Sequence, residues 1–463
     1  MFCDKAISAT IAAHFAELTL DALPDATLHA TRRALLDAVG VTLGATGLGE
    51  DTAPYRRHAE AVSGPSRLIG FSGSSTPSLA ALANGALAHQ LDFGDTFDAG
   101  PAHPNAALVP ALLALADARP ERAFGEFLVA MAAGSDLACR LSIAAPRPYE
   151  EGGWYPPPLV NLIATAAACA RFIGLDADGM RHAMGLALLQ GSFPSEIKYD
   201  ATSPIRGVRE GLVARAAVEA ALLAEAGATA FAEPLEGRAG YFAIYGGGAP
   251  NDTLLDGLGE RFLGDQVSFK PWPACRGTHP YIEAALVLRD RIDPARVARI
   301  EAETGPIQEM LIRPQPVKAE PTRAIEAKFS IPYTVAVALI DGAVTLDSFT
   351  AARIADPATR ALASGVVERR NPDWGRGEAA SGSLTVTLDD GTTLAHRVMQ
   401  AAGHPERPMD DAALIAKFID CAAHAARPID ADSAAALAKR ILTLSADVAA
   451  YQILDLPACT ADF

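Results

Sequence analysis

Cysteine is scarce in this chain of 463 residues, and the few cysteines do not form motif pairs. Six of them are spread over the whole length without CxxC spacing. They are Cys3, Cys139, Cys169, Cys275, Cys421 and Cys459. A chain of this length does not need disulfide staples, because it can bury a large hydrophobic core. The cysteine pattern therefore predicts reduced thiols and a cytoplasmic protein.

Long apolar runs and basic runs are also lacking. No segment offers eighteen uninterrupted apolar residues, and the N-terminus lacks the basic start and long apolar run of a signal peptide. Acidic residues exceed basic ones, 55 against 39, which gives a formal net charge of −16. A negative field of this size repels nucleic acid and anionic membranes. We therefore expect neither as a partner, and an anionic small substrate must meet a local cluster of Lys and Arg.

Aromatic residues make up only 6% of the sequence, whereas half of it is hydrophobic. Together with abundant alanine, this favours helices packed closely through small side chains. A single core rarely grows beyond roughly 250 to 300 residues, so the length predicts two unequal domains. Several helical segments are apolar on most faces, which favours burial in a large core or against a second copy of the chain. This pattern is compatible with a homo-oligomer.

Apolar residues recur at helical spacing over most of the chain. This spacing dominates up to about Gly227 and returns after Met409. We predict a mainly α fold, with a large all-helical domain formed by residues 1–265 and 403–463. Residues 266–402 are predicted to form a smaller inserted α+β domain. An insertion hinged at two points makes an interdomain cleft the expected small-molecule site.

The inserted part carries the signals for strands. Leu384, Val386 and Leu388 alternate with polar residues ahead of Asp390 and Gly391, a pattern typical of a β-hairpin. Three segments are interpreted as strands, with a helix between them. The strands are VSFKPWPAC, VARIEAETG and SLTVTLDDGTTLAHRV, and the helix is AKFSIPYTVAVALIDG.

The stretch NGALAHQLDFGDTFDAGPAHPNAA gathers reactive side chains where a helix ends and a loop begins. Its acids, hydroxyl and imidazole are Asp92, Asp95, Thr96, Asp98 and His103. Such junctions on a buried scaffold are common places for binding and catalysis. The residue types alone leave helix capping open for Asp92 and Asp95. His89, one turn before Asp92, is expected to be structural.

Further polar clusters follow along the chain. They are GGWYPPP with Trp154 and Tyr155, the cations Lys198, Arg206, Arg209 and Arg215, the string KPWPACRGTH from Lys270 to His279, and AKFSIPY from Ala327 to Tyr333. Some of these residues have simpler explanations. Lys198 lies among acids and is compatible with a surface ion pair, and Lys328 with a solvated side chain. Cys275 is expected to pack as a small residue, and with His279 it offers too few ligands for zinc.

Four strings occur in the same order as in one enzyme family. NGALAHQLDFGDT with a following HP, PLEGRAGYF, SFKPWPACRGTH and AKFSIPYTVAVAL resemble motifs of the MmgE/PrpD family. That family includes 2-methylcitrate dehydratases, cis-aconitate decarboxylases and iminodisuccinate epimerases. The resemblance spans nearly the whole chain. It implies a large helical domain with an α+β lid, a homodimer, no metal or cofactor, and a small anionic polycarboxylate as substrate.

The resemblance also implies which residues line the pocket. The implied catalytic residues are Asp92, His103, Lys270 and Tyr333, and the implied substrate-binding residues are Thr96, Tyr155, Arg206, Cys275 and His279. Two positions depart from the family pattern. Where many members have Gly-Trp-His this chain has Tyr155, and where many have a lysine it has Arg206. A phenol thus replaces a titratable imidazole, and a bidentate guanidinium replaces a compact ammonium.

Family chemistry removes a proton from a carbon beside a carboxylate. The pocket then needs a cation for the carboxylate and a base for the proton. Lys270 and Arg206 suit the first task. His103, oriented by Asp92 or Asp95, suits the second, because an acidic partner fixes the tautomer and stabilises the imidazolium.

Several reactions fit this chemistry. The leading interpretation is a 2-methylcitrate dehydratase-like hydro-lyase, in which Tyr333 donates to the leaving hydroxyl or protonates the opposite face. An iminodisuccinate-type epimerase needs no leaving group, so it tolerates the loss of an imidazole at Tyr155 more easily. A cis-aconitate-type decarboxylase and a catalytically silent ligand-binding homologue are the further alternatives.

Overall fold

The structure is a computed structural model that describes residues 6–200 and 203–455. The chain divides into two compact units. The helical unit consists of Met1–Val267 with Asp410–Phe463, and the mixed unit consists of Ser268–Met409. Each unit is described below as far as its residues are described.

The cysteines among the described residues form no disulfide bonds. They are Cys139, Cys169, Cys275 and Cys421. Burial raises the pKa of the Cys169 thiol far above its usual range, which keeps it protonated. The predictions for Cys3, Cys459 and the first five residues lie outside the described residues.

Helices account for most of the described chain. In order, the α-helices are α1 (Ile7–Glu17), α2 (Asp25–Leu48), α3 (Ala53–Glu60), α4 (Pro77–Gln90), α5 (Pro104–Ala118), α6 (Phe124–Ala144), α7 (Pro156–Ile173), α8 (Ala177–Leu188), α9 (Ile205–Glu225), α10 (His279–Arg289), α11 (Glu309–Ile312), α12 (Gln315–Ala319), α13 (Ala324–Lys328), α14 (Ile331–Asp341), α15 (Ala351–Ile354), α16 (Pro357–Ser364), α17 (Asp411–Ala423) and α18 (Ala431–Thr443). Short 3₁₀ or π turns cover Leu20–Ala22, Tyr149–Gly152, Ser195–Lys198, Phe242–Gly246, Asp252–Leu254, Leu263–Gln266, Arg276–Thr278, Pro294–Arg296, Leu346–Phe349, Arg376–Glu378 and Ala450–Leu454.

The mixed unit contains a four-stranded sheet. The strands of the described chain are β1 (Ser66–Arg67), β2 (Ser74–Ser75), β3 (Val297–Thr304), β4 (Val366–Arg370), β5 (Gly382–Leu388) and β6 (Thr393–Val398). The sheet order is β4-β3-β5-β6, with β3 parallel to β4 and antiparallel to β5. In the β5–β6 hairpin Val386 lies opposite Leu394, and Gly391 in the turn has a φ of 84°. Glycine suits this left-handed position because it has no Cβ atom.

The predicted mainly helical fold is confirmed, and so is a small mixed sheet in the C-terminal part. The helical unit is not entirely helical, because β1 and β2 pair as a two-residue ladder. The segment VSFKPWPAC was wrongly predicted as a strand, since none of the described strands covers it. Pro271 and Pro273 explain this, because proline has no N–H to donate to a ladder. AKFSIPYTVAVALIDG is two helices rather than one, and the Ser330 side chain caps the second by accepting from the Tyr333 N–H.

Helices α4 and α9 touch backbone to backbone through two glycines. A Cβ atom on Gly211 would lie 2.3 Å from the carbonyl oxygen of Leu82, and one on Gly85 would lie 2.9 Å from the Cα atom of Gly211. A glycine inside a helix costs about 1 kcal/mol relative to alanine, and close packing offsets that cost here. This contact fixes α4 against the first half of α9, and both helices lead into the candidate site.

Two helices in the described part of the chain are, by length and composition, long and apolar enough to cross a membrane. These are α6 and α7, and 94% of the residues in each apolar window are buried inside the protein. Buried helices at the centre of a large core pass the same test of length and composition. The two segments therefore fit the expected core of close-packed helices.

Candidate active site

The turn after α4 carries an unusual backbone conformation. Among the residues that the structure describes, Asp92 is the one non-glycine residue with a positive φ, at 48°. An L-residue in this left-handed region costs roughly 1–2 kcal/mol, and Asp tolerates it better than most. Backbone strain of this kind is concentrated at functional sites. The Asp92 carboxylate is buried, and its Oδ1 lies 3.8 Å from Nε2 of His89, which is also buried.

His103 lies at the start of α5 and faces this turn. Its Nδ1 is 2.8 Å from the backbone carbonyl oxygen of Asp95. A carbonyl only accepts, so Nδ1 carries a proton, and in the neutral imidazole the lone pair is then on Nε2. The rings of His89 and His103 are 4.8 Å apart between centroids. His103 is therefore held in the tautomer that suits a general base.

The orientation of His103 differs in one respect from the prediction. The group that holds Nδ1 is the main-chain carbonyl of Asp95 rather than a carboxylate. The carboxylate of Asp95 accepts instead from Nδ2 of Asn105, at 2.7 Å. Burial raises the pKa of Asp95 to about 7, nearby Asp37 adds to the shift, and the hydrogen bond from Asn105 opposes it. Through its carbonyl and its carboxylate, Asp95 thus stabilises the loop between α4 and α5.

Further contacts close the loop between α4 and α5. Thr96 is buried, and its hydroxyl lies 3.4 Å from the carbonyl oxygen of Ala102, beside a backbone bridge between Phe97 and Ala102. From α17, the ammonium of Lys417 donates to the carbonyl oxygen of Phe93 at 2.6 Å and pairs with Asp37 at 2.6 Å. The loop is therefore anchored from both sides.

Tyr155 precedes α7 and lies among cations. It is buried, and its N–H donates to the carbonyl oxygen of Phe193 at 2.8 Å. The guanidinium carbon of Arg209 lies 5.0 Å from the centre of the Tyr155 ring, and Nζ of Lys198 lies 5.4 Å from it. Lys198 pairs with Glu150 at 3.4 Å, so it forms an ion pair as predicted, though with an acid distant in sequence. Arg206 lies at the start of α9, and its carbonyl accepts from Nη1 of Arg209.

Two buried polar residues that the sequence did not single out connect these parts. Asn161, on α7, donates through Nδ2 to the carbonyl oxygen of His103 at 2.9 Å and to Oε2 of Glu210 at 3.0 Å. Oε1 of Glu210 lies 3.1 Å from Nε of Arg209. Burial raises the pKa of Glu210, and the adjacent Arg209 opposes that shift. A lone Asn in the apolar segment PPPLVNLIATAAACA was the available sequence signal for Asn161.

The other predicted site residues belong to the mixed unit. Lys270 and His279 are completely buried, and Cys275 is partly exposed. Nε2 of His279 lies 3.1 Å from the carbonyl oxygen of Ala274. Lys328 was predicted to be solvated, but it is buried. Its ammonium donates to the carbonyl oxygen of Pro273 at 2.9 Å.

Tyr333 lies in the core of the mixed unit. Its hydroxyl donates to the carbonyl oxygen of Ser348 at 2.5 Å, and its ring is completely buried. Burial raises the pKa of the phenol. The predicted transfer of a proton from Tyr333 would require that hydrogen bond to break.

The cluster of His89, Asp92 and His103 has the residue types of a metal site. One ligand atom from each lies within 4.8 Å of the others. Ligands of zinc lie about 2.0–2.2 Å from the ion, so two of them are at most about 4.3 Å apart. The absence of a metal in the reaction stays a prediction.

Comparison with known proteins identifies related sequences over both units. A family model described as the MmgE/PrpD N-terminal domain matches residues 9–254, and one for the MmgE/PrpD C-terminal domain matches residues 272–441. The human cis-aconitate decarboxylase is 29% identical over 95% of this chain and 92% of its own length. The mouse cis-aconitate decarboxylase is 28% identical over 89% and 86%. A cis-aconitate decarboxylase of Aspergillus terreus is 23% identical over 77% and 76%.

Proposed function

Because the chain belongs to the MmgE/PrpD family, we propose that it is a cofactor-independent lyase. It moves a proton at the carbon beside a carboxylate of a small tricarboxylate. The observation that carries this proposal is the arrangement of His103, whose Nδ1 is bound to a carbonyl and whose ring faces a buried carboxylate. A positioned base of this kind typically contributes about 10²–10⁴-fold to the rate.

In the proposed reaction Nε2 of His103 takes the proton. The imidazolium that forms is stabilised by Asp92, one of whose oxygens lies within 4.8 Å of a ring nitrogen of His103. His89 lies against both groups, so it belongs to the site rather than to the scaffold alone.

The anionic substrate needs local cations in a protein of net charge −16. Arg206 is proposed as a carboxylate ligand from the helical unit, since guanidinium binds carboxylates through two parallel hydrogen bonds. Lys270 is proposed for the same task on the basis of its motif. Thr96, Tyr155, Cys275 and His279 are proposed to contact the substrate on the same basis.

Dehydration of a 2-methylcitrate-like hydroxy acid is the reaction that we propose first. It begins with removal of a proton from carbon, which suits the tautomer inferred for His103 from its contact with the Asp95 carbonyl. Decarboxylation of cis-aconitate is the second candidate, and the similarity to cis-aconitate decarboxylases over most of the chain favours it. That reaction needs a proton delivered to carbon, so His103 would act in its protonated form.

Proton NMR in deuterated buffer, with released carbon dioxide measured in parallel, separates these reactions. The substrates are 2-methylcitrate, citrate, cis-aconitate and iminodisuccinate. New alkene signals without carbon dioxide indicate dehydration, release of carbon dioxide from cis-aconitate indicates decarboxylation, and deuterium exchange alone indicates epimerisation. The proposal of a lyase is contradicted if none of these acids is converted, and also if deuterium exchange occurs without any conversion.

A further inference from the structure

Three buried residues form a continuous polar network in the helical unit. The network consists of Asn161, Glu210 and Arg209, whose exposed fractions are 0%, 0% and 1%. We propose that this network is a positioning device that holds Tyr155 and His103 in a fixed relation to each other. The inference rests on the proposed function, in which these two residues act on the same substrate.

At one end the network fixes the main chain of His103. Nδ2 of Asn161 donates to its carbonyl oxygen at 2.9 Å. The ring of His103 is fixed separately, through Nδ1 and the carbonyl of Asp95. Because both the backbone and the ring are held, the remaining nitrogen Nε2 has little freedom to change direction.

In the middle of the network a single amide nitrogen serves two acceptors. Nδ2 of Asn161 also donates to Glu210, and Glu210 pairs with Arg209 at 3.1 Å. Burying an ion pair is costly, and apolar residues of similar volume often serve stability as well. The packing of α7 against α9 therefore does not by itself account for these three polar side chains.

At the other end the network holds the ring of Tyr155. The guanidinium of Arg209 is restrained by Glu210 and by the carbonyl of Arg206, and its carbon lies 5.0 Å from the centre of the ring. A cation over an aromatic face attracts the ring. Because Nε of Arg209 lies 3.1 Å from Oε1 of Glu210, a shift of one side chain displaces the other. The position of Tyr155 is thereby coupled to that of His103.

The test measures the rate of chemical modification of the His103 imidazole in variants of Arg209. Diethyl pyrocarbonate modifies accessible imidazoles, and mass spectrometry gives the rate at each histidine separately. Arg209→Met is expected to change the modification rate of His103 at least threefold and to leave exposed His58 unchanged. This readout needs no turnover, so it remains informative even if the proposed reaction is wrong.

Arg32→Met is the matched control. Arg32 also lies over an aromatic ring, 5.0 Å from the centre of Phe124, and also donates to backbone carbonyls, those of Ile441 and Leu444. It should leave the rate at His103 unchanged. Equal rates at His103 in the wild type, Arg209→Met and Arg32→Met would overturn the proposal. If Arg209→Met does not fold, Arg209→Lys replaces it. We then expect a smaller change in the same direction. Equal modification rates at His103 in the wild type, Arg209→Lys and Arg32→Met would again overturn the proposal.

A second measurement uses activity on whichever substrate is converted. Arg209→Met and Asn161→Leu are each expected to lower kcat by about tenfold to a hundredfold, because small displacements of reacting groups are costly. If both act through one network, the double variant loses little more than the worse single variant. Losses that multiply would show two independent effects and overturn the coupling.

Discussion

At the scale of single residues, the backbone of Asp92 is the feature with the clearest consequence. Its φ of 48° is unfavourable for a side chain but not for glycine. Asp92→Gly is therefore expected to be more stable to denaturant than Asp92→Ala by about 1 kcal/mol. Both variants should lose activity, because both lack the carboxylate beside His103. Equal stability of the two variants, or full activity in either, would contradict this view of the turn.

The buried carboxyl of Asp95 makes a prediction about pH. Its pKa of about 7 lies above that of an unfolded Asp because it is buried. Such a group stabilises the fold below the unfolded pKa, and the stabilisation is lost as the pH rises through the folded pKa. The contribution of Asp95 to the free energy of unfolding should therefore fall between about pH 4 and pH 7, by as much as about 4 kcal/mol.

Asp95→Asn should flatten this dependence, because an amide oxygen still accepts from Asn105 but does not titrate. Denaturant unfolding at several pH values measures the slope. Asp178→Asn, at an exposed acid, serves as the control and should leave the slope as in the wild type. A slope that Asp95→Asn does not change would show that another group is responsible.

At the scale of elements, the contact between α4 and α9 depends on glycine. Gly211→Ala would place a methyl group 2.3 Å from the carbonyl oxygen of Leu82, so the helices must move apart. We expect a loss of about 1–3 kcal/mol in the free energy of unfolding, as for other overpacked sites. Gly377→Ala, where no atom lies within 4 Å of the added carbon, is the control. Equal stability of the two variants in denaturant would show that the contact is loose.

Local sequence patterns correctly predicted those elements that are determined by residues close together in the sequence. The β5–β6 hairpin follows from alternation and Asp390-Gly391, and the end of α4 follows from the polar residues after it. The segment from Val267 to Cys275 was wrongly predicted as a strand. Its apolar residues suggested a strand, and the two prolines were not weighed against it. Strand β4, in VVERR, was missed because its residues do not alternate regularly.

The candidate site was only partly predictable, because its contacts join residues far apart in sequence. His103 and Asp92 were found through a local motif. The carbonyl that holds His103, the part played by His89 and the network through Asn161 and Glu210 depend on how α5, α7 and α9 pack. Spacing within one segment carries no information on such contacts.

At the scale of the whole molecule, a protein with a negative net charge must still bind the anionic substrate that we propose. A net charge of −16 disfavours binding of a tricarboxylate unless cations are concentrated locally. Lys198 and Arg209 lie over the ring of Tyr155 in the helical unit, and Arg206 precedes Arg209 by three residues at the start of α9. The family membership of the full chain supports the same class of substrate.

The central claim is that His103 moves the proton at the carbon of a small polycarboxylate. Deuterium exchange into the substrate, followed by NMR with His103→Asn and with His58→Asn as the control at an exposed histidine, tests it most directly. The account predicts that His103→Asn slows exchange by about 10²-fold or more, as expected for loss of a general base, and that His58→Asn exchanges at the wild-type rate. Exchange at the wild-type rate in folded His103→Asn would contradict it.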